Sequence, residues 1–276
     1  MPEITRVVTP AAPFNPNIAV GGGVTTYKGP GSTVAPPPTP TEKPPTFNLP
    51  NIAIVGDSGQ GKSNSLRNMP WEHTAIIDTE RKSFPFKTDG IKYYYECKSA
   101  GAVEQRIDAL KANPGPIRYV VLDSLYMYMD LLITECKLTF KNYDIYNNYN
   151  DRLRALLNDK LKDPRLIFIV IAQPELVQVT DEQGKNTSKI RMYTFGKEHE
   201  GKLERQFLAV FHTNTTTKDA AGKIQYMFRT NTDGINSAKS PTDWFSDKPL
   251  IPNDLAAILK IADKDNYPAG TAAASK

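Results

Sequence analysis

Cysteine and histidine are scarce in this 276-residue chain, which has two of the first and three of the second. Cys97 and Cys136 lie far apart, without a CxxC pattern or clustered histidines, so the sequence indicates neither a zinc site nor a disulfide framework. The chain also lacks a run of about 18 apolar residues and a secretory signal at its N-terminus. We therefore expect a soluble, cytoplasmic protein without membrane contact.

Net charge is small as well, since 34 lysines and arginines face 30 aspartates and glutamates and leave +4. A net charge of this size does not by itself favour binding to nucleic acid, so any such contact must come from local patches of charge. The length is enough for a domain with a core that needs no disulfide or metal.

Proline is unevenly distributed, because 12 of the 22 prolines fall within the first 50 residues, beside "GGG", "GPG" and "PPPTPTEKPP". A segment with so few aromatic and charged residues buries too little apolar surface to offset its ordering entropy. We predict that residues 1–47 form a disordered or extended tail. It is either a plain linker or a docking arm, carried by "PFNPNIAV", for a protein partner or a neighbouring subunit.

From Phe47 onward, short β-rich runs alternate with helical stretches, which predicts an α/β fold with a mostly parallel sheet. The predicted strands are 51–56, 73–78, 91–96, 117–123 and 165–173. The predicted helices are 62–68, 99–112, one or two helices over 125–162, and 253–263.

The alternation stops after residue 174, and "FLAVFHTNTTTKDAAGKIQYMFRTN" predicts two strands around a turn at Asp219 to Gly222. We expect a central sheet with helices on both faces and this hairpin as an antiparallel C-terminal extension. Residues 48–265 should form one domain, followed by a flexible tail over 266–276.

The stretch "GDSGQGKS" fits G-x-x-x-x-G-K-[ST], follows an apolar strand and precedes a predicted helix. Its glycines let successive backbone N–H groups face phosphates, its lysine reaches the β and γ phosphates, and its serine hydroxyl holds Mg²⁺. The sequence therefore predicts a nucleoside triphosphate site. The residues of this loop are Gly56, Asp57, Ser58, Gly59, Gln60, Gly61, Lys62 and Ser63.

Such a loop also needs a carboxylate that anchors the hydrated Mg²⁺. This carboxylate is expected at the end of a buried strand that neighbours the strand before the loop. "RYVVLDS" supplies Asp123 in that position, so we predict Ser63 and Asp123 as the metal ligands.

Hydrolysis also requires a group that orients or deprotonates water. "AIIDTE" ends a predicted strand with Asp78 and Glu80, and we choose Glu80 as the base. The alternative is that both acids are solvated or cap the turn. Gln173, at the tip of "IFIVIAQ", can sense the γ-phosphate or simply end its strand.

Along the chain the order is the glycine loop at 56–63, Asp-x-Glu at 78–80, Asp-Ser at 123–124 and a strand that ends in Gln173. Four elements in this order resemble the RecA-like P-loop ATPase core over about residues 48–235. "INSAKSPTDWF" is similar to the phage-encoded members associated with single-strand annealing and recombination. The resemblance implies ATP as the nucleotide, Glu80 as base, and Gln173 as the link between nucleotide state and a DNA-binding loop. It also implies a location in the bacterial host cytoplasm.

The resemblance further implies single-stranded DNA as a partner, held by the loop over 174–192. Lys185, Lys189 and Arg191 make this loop weakly basic, although Asp181 and Glu182 flank them, and it can equally be a solvated hairpin. Tyrosines within 143–149 can stack bases, but core or interface roles are the more common use of that spacing.

RecA-like ATPases complete their site between subunits, with a cation from the neighbour against the γ-phosphate. Lys239 is the first candidate for this cation and Arg229 the second, while a plain surface lysine is the alternative. A cation acting in trans implies a ring or a filament.

Two other functions fit the sequence. One is a nucleotide-dependent structural or packaging component of a phage assembly, docked through the proline-rich arm. The other is a small-molecule kinase, although "EHEGKLER" over 198–205 is too lean in arginine for the lid that such enzymes carry.

Overall fold

The computed structural model describes residues 48–268 apart from 181–183, 185, 219–221, 223 and 246. The predicted tail over 1–47 and most of the tail over 266–276 lie outside the described residues. So do Asp181, Glu182, Lys185 and most of the turn at 219–222.

Ten strands are present in the described part of the chain. They are β1 (Ile52–Val55), β2 (Thr74–Asp78), β3 (Tyr93–Glu96), β4 (Tyr119–Asp123), β5 (Ile167–Ala172), β6 (Pro174–Thr180), β7 (Asn186–Met192), β8 (Ala209–Lys218), β9 (Ile224–Arg229) and β10 (Leu250–Pro252).

Five α-helices lie between or after these strands: α1 (Ala100–Ala112), α2 (Leu125–Thr139), α3 (Tyr143–Ala155), α4 (Thr242–Phe245) and α5 (Leu255–Ala262). Short 3₁₀ helices span Ser63–Asn68, Trp71–His73 and Leu203–Gln206, and a π-helical turn spans Leu156–Lys160. No helix in the described residues has both the length and the apolar character that crossing a bilayer requires.

Eight strands form one sheet in the order β10, β9, β8, β1, β5, β4, β2, β3. The six strands from β8 to β3 are parallel, whereas β9 and β10 extend the sheet antiparallel. β6 and β7 form a separate antiparallel hairpin. The carboxyl ends of β1, β2, β4 and β5 meet at one edge of the sheet, where ligands bind in open α/β sheets.

Both faces of the sheet are covered, which explains why its central strands are continuous apolar runs rather than alternating ones. On one face, side chains such as Val55 and Leu122 pack against α1, α2 and α3. On the other face, side chains such as Ile54 and Val121 pack against α5 and the 3₁₀ helix Ser63–Asn68. The predicted fold class is therefore confirmed.

The predicted helix after the glycine loop is a single short 3₁₀ segment, Ser63–Asn68, and the chain turns extended at Met69 ahead of Pro70. The expectation that the Asp123 strand neighbours the loop strand is wrong, because β5 lies between β1 and β4. The separation is two strand spacings, about 10 Å. Side chains from both ends still meet across it.

Candidate nucleotide-binding site

The glycine loop follows β1 and curls back over its carboxyl end. Gly59 (φ 77°) and Gly61 (φ 86°) both have left-handed backbone conformations, which glycine adopts without a Cβ penalty. Gly56 is required for a different reason, because a Cβ at this position would lie 1.7 Å from Oγ1 of Thr213 on the adjacent β8. The loop thus depends on β8 as well as on its own glycines.

We expect Gly56→Ala to destabilise the protein by about 1–3 kcal/mol, the usual cost of inserting a methyl group into a filled site. Gly101→Ala is the matched control: the glycine lies in α1, and its added Cβ would meet other atoms only at 4.0 Å. That control should be neutral or stabilising by up to about 1 kcal/mol. Urea denaturation of the full chain measures both, and equal effects would contradict the packing of β8 on the loop.

The side chains of Lys62 and Gln60 stabilise the loop through hydrogen bonds. The Lys62 Nζ donates a hydrogen bond to the Asp57 carbonyl oxygen at 2.9 Å. Gln60 Oε1 accepts from the Thr213 hydroxyl at 3.0 Å and from the Asp57 N–H at 3.3 Å. Burial lowers the pKa of Lys62, while the carboxylates of Glu80, Asp123 and Asp57 oppose this shift. The lysine therefore lies among three acids at the mouth of the loop.

Ser63 and Asp123 meet across the sheet edge. The Ser63 hydroxyl donates to Asp123 Oδ2 at 3.2 Å, although 60 residues separate them in the chain. Burial, together with the carboxylates of Glu80 and Asp78, raises the pKa of Asp123 to about 7. A buried carboxylate crowded by two others is an environment that a bound cation relieves.

The donor set fits Mg²⁺ held jointly with phosphate. Mg²⁺ prefers oxygen ligands and is bound through one or two carboxylates plus substrate phosphates and water. The described residues contain no cluster of three or more His, Cys, Asp or Glu suited to a metal. A cation beside Ser63 and Asp123 would therefore take its remaining ligands from phosphate and water.

Asp78 and Thr79, at the end of β2, form a buried turn that positions the next residue. Asp78 Oδ1 accepts from the N–H groups of Glu80 and Arg81 at 2.8 and 2.9 Å, and Asp78 Oδ2 accepts from the Tyr94 hydroxyl. Thr79 N–H donates to the Asp123 carbonyl at 2.7 Å, which ties the end of β2 to β4. Asp78 therefore caps this turn, which is one of the two alternative roles predicted from the sequence for Asp78 and Glu80.

Glu80 projects from this turn toward the neighbouring strand end. Its Oε1 accepts from the Ser124 hydroxyl at 2.9 Å, and its Oε2 lies 3.0 Å from Lys82 Nζ. Burial raises the pKa of Glu80, but hydrogen bonds from Lys82 and Ser124 outweigh it and hold the pKa below its usual range. Ser124 and Lys82 therefore fix the orientation of the Glu80 carboxylate beside the end of β4.

These groups surround one cavity of about 420 Å³, which we call the loop cavity. It is lined by Ser58, Gly59, Gly61, Lys62, Ser63, Asn64, Asp78, Glu80, Lys82, Ser83, Phe84, Pro85, Asp123 and Tyr226. Cations, carboxylates and hydroxyls are among the lining groups, and Phe84, Pro85 and Tyr226 add apolar surface. The arrangement can hold a charged, phosphate-bearing ligand with a planar ring.

Five predicted residues do not line the loop cavity: Gly56, Asp57 and Gln60 of the glycine loop, and also Gln173 and Lys239. Gln173 follows β5 and begins the connection to the β6–β7 hairpin, where its carbonyl accepts from Tyr193 N–H at 2.8 Å. Lys239 pairs through its backbone with Val210 at the start of β8. Burial lowers the pKa of Lys239, and Glu204 opposes this shift.

Thr213 and Tyr226 are contacts of the glycine loop that the sequence pattern does not reveal. Thr213 touches Gly56, and the Tyr226 ring lies where a Cβ on Gly61 would stand, with Cδ1 at 2.6 Å from that position. Both residues come from the β8–β9 hairpin, more than 150 residues after the loop. Only the pairing of β1 with β8 brings them there, and no local sequence signal could have identified them.

In a comparison with protein families, a family model described as an AAA domain matches residues 49–242 of this chain. The matched range begins just before β1 and ends at the start of α4, so it contains every residue of the loop cavity. A comparison with curated proteins gives no match.

Proposed function

The chain belongs to the AAA domain family, and on that premise we propose that it binds ATP with Mg²⁺ and hydrolyses it while acting on single-stranded DNA. Membership indicates an AAA-type P-loop ATPase, a class that generally binds ATP with Mg²⁺ and often oligomerises. One observation carries the proposal: Lys62, Ser63, Asp123 and Glu80 surround one cavity, with Ser63 and Asp123 in hydrogen-bond contact.

Within this proposal the loop residues bind the phosphates. The N–H groups of 56–63 and the Lys62 ammonium provide positive charge toward the β and γ phosphates. Ser63 and Asp123 would hold Mg²⁺, which, when bound, neutralises charge on the phosphate oxygens. Phe84, Pro85 and Tyr226 flank the ring of the nucleotide.

The same geometry supports a hydrolytic step with Glu80 as the base. Glu80 accepts a proton from water while the water oxygen bonds to the γ-phosphorus. The bond from the γ-phosphorus to the bridging oxygen breaks, and ADP and inorganic phosphate leave. Ser124 keeps the Glu80 carboxylate oriented, because its hydroxyl donates to Oε1.

For the DNA partner, we propose annealing or strand exchange in phage recombination or replication, as the sequence resemblance implies. The β6–β7 hairpin directly follows Gln173, our proposed sensor of the γ-phosphate, although Gln173 does not line the loop cavity. The hairpin displays Leu176, 66% exposed, and carries Lys189 and Arg191. These features support the hairpin as one DNA contact.

Steady-state ATP hydrolysis with and without a single-stranded oligonucleotide tests the proposed function. We expect single strands to stimulate turnover in the wild-type chain but not to restore it in Lys62→Ala. Turnover that is indifferent to DNA over a wide range of oligonucleotide concentration would contradict the DNA role while leaving the ATPase intact.

Lys239 remains our proposal for a cation acting in trans on a neighbour's γ-phosphate. Charge develops on the transferring group, and such fingers contribute about 10³- to 10⁵-fold in rate. When Lys239→Ala is mixed with Glu80→Gln at constant total protein, we expect turnover above that of either variant alone, because a site with an intact Glu80 then meets the intact Lys239 of a neighbour. A mixture no more active than its components, beside Lys197→Ala with wild-type turnover as the exposed-lysine control, would contradict the trans role.

A further inference from the structure

The segment from Arg81 to Lys98 differs from the rest of the chain in charge and in aromatic content. Its 18 residues contain five lysines and arginines against two acids, a surplus of three where the whole chain has a surplus of four. Five phenylalanines and tyrosines lie within the same segment. Basic charge interleaved with aromatic rings is the composition typical of surfaces that bind single-stranded nucleic acid.

The fold gathers this segment around a second cavity of about 520 Å³ at the outer edge of the sheet, which we call the edge groove. The edge groove runs beside β3, the last strand of the sheet. Its lining includes Arg81, Lys82, Phe84, Phe86, Ile91 and Tyr94. Lys82, Ser83 and Phe84 also line the loop cavity, so the two cavities share a wall.

Aromatic rings form one side of the edge groove. Phe84 and Phe86 have ring centroids 5.3 Å apart, and Phe86 stacks on Trp71 at 5.8 Å. Tyr94 meets the Phe84 ring edge-on at 6.3 Å and is 42% exposed. Each ring is held in place by its neighbours. The rings therefore lose little conformational freedom when a planar group stacks on them.

Two exposed cations of the segment are Arg81, which lines the edge groove, and Lys87, which directly follows Phe86 in the chain. Lys82, Lys92 and Lys98 each pair with a glutamate. Arg81 and Lys87, both exposed, have no ion-pair partner among the described residues. One acid, Glu96, lines the edge groove, and Lys98 lies 3.4 Å from it. The charge left over is therefore positive and complements phosphate.

On these grounds, and resting on the proposed function, we propose that the edge groove binds single-stranded polynucleotide directly. A base stacks on the exposed face of Tyr94, and the flanking phosphates lie against Arg81 and Lys87. This site is separate from the β6–β7 hairpin. It lies next to Glu80, the proposed catalytic base, rather than next to Gln173, the proposed γ-phosphate sensor.

Tyr94 also connects the edge groove to Glu80. Its hydroxyl donates to Asp78 Oδ2, and the other oxygen of Asp78 accepts from the N–H groups of Glu80 and Arg81. A nucleobase stacked on Tyr94 therefore acts, through the Tyr94 hydroxyl and Asp78, on the turn that orients Glu80. Occupancy of the edge groove should stimulate hydrolysis through this chain of hydrogen bonds.

The test is the affinity of the full chain for a fluorescein-labelled oligothymidylate of about 20 nucleotides, measured by anisotropy with Mg²⁺ and a non-hydrolysable ATP analogue. We expect Tyr94→Ala to raise Kd about 5- to 150-fold, the range for the loss of one base–aromatic stack. Leu138→Ala, which removes an 85% exposed apolar side chain from α2, is the control and should leave Kd unchanged.

Charge and coupling are tested separately. The double variant Arg81→Asn, Lys87→Gln should reduce the slope of log K against log salt by about 0.7 for each lost phosphate contact. Asparagine is chosen at 81 because the residue has φ 57°, which asparagine tolerates. Tyr94→Phe keeps the ring, so it should bind the oligonucleotide like wild type but lose the stimulation of ATP hydrolysis.

Several results would overturn the edge groove as a DNA site. The first is a Tyr94→Ala variant with wild-type affinity for the oligonucleotide while Lys189→Gln, Arg191→Gln loses binding. The second is a rise in the Kd for ATP instead, which would assign the edge groove to the nucleotide's own base. The third is a change in self-association alone, measured by sedimentation, which would assign it to a protein interface. Failure of the wild-type chain to bind the oligonucleotide at all would instead remove the DNA role in the proposed function.

Discussion

Lys62→Ala is expected to lower ATP turnover about 100- to 1,000-fold, the range seen when one preorganised donor to a developing negative charge is removed. Lys62 lies at the mouth of the glycine loop, among the carboxylates of Asp57, Glu80 and Asp123. Without its ammonium group, phosphate oxygens would face these carboxylates with no neighbouring countercharge from the loop. ATP affinity should fall along with turnover.

Lys111→Ala is the matched control for this variant. Lys111 also donates to a backbone carbonyl, that of Asp159 at 2.8 Å, but it lies outside the loop cavity. Its removal should leave ATP turnover unchanged. Thermal denaturation of both variants separates a loss of chemistry from a loss of folding, and wild-type turnover by a folded Lys62→Ala would contradict the phosphate role of the loop.

Glu80→Gln is expected to slow hydrolysis about 10²- to 10⁴-fold, the usual contribution of a positioned general base, with ATP affinity retained. Glutamine keeps an oxygen that accepts from the Ser124 hydroxyl but has no basicity toward water. The lost ion pair with Lys82 matters little for stability, because Lys82 is 76% exposed and such pairs are worth about 0–1 kcal/mol.

Glu72→Gln serves as the control for this variant, since Glu72 forms a comparable exposed pair with Lys92 at 2.7 Å away from the loop cavity. Equilibrium binding of ATP and single-turnover hydrolysis should be measured on the same preparations. If Glu80→Gln loses ATP binding together with hydrolysis, Glu80 has a structural role. If hydrolysis is unaffected, the base lies elsewhere, and Asp78 is a poor substitute because both of its oxygens already accept hydrogen bonds.

The parts of the fold that the sequence predicts are those encoded locally. The five predicted strands agree with β1 to β5 within about two residues, because each is a run rich in β-branched and aromatic side chains bounded by turn residues. The long stretch over 125–162 resolves into α2 and α3, one of the two alternatives. The glycine loop follows its strand as the motif requires, and the polar residues at the ends of β2 and β4 come together.

The parts that the sequence does not predict depend on which strands pair. The placement of β5 between β1 and β4 follows from the packing of whole elements rather than from any residue near Asp123. The contact of Gly56 with Thr213 depends on the parallel pairing of β1 with β8. The rings of Trp71 and Phe84 are aligned by contacts through Phe86, so the edge groove is a property of tertiary structure.

The most direct test of the nucleotide site is phosphate release from ATP by the purified full chain with Mg²⁺, measured beside ATP binding for wild type, Glu80→Gln and Lys62→Ala. We predict that wild type binds and hydrolyses ATP, that Glu80→Gln binds ATP like wild type but hydrolyses it about 10²- to 10⁴-fold more slowly, and that Lys62→Ala binds ATP more weakly and hydrolyses it about 100- to 1,000-fold more slowly. A wild-type chain that fails to bind ATP, or equal turnover in all three proteins, would contradict the assignment of the loop cavity as an ATPase site.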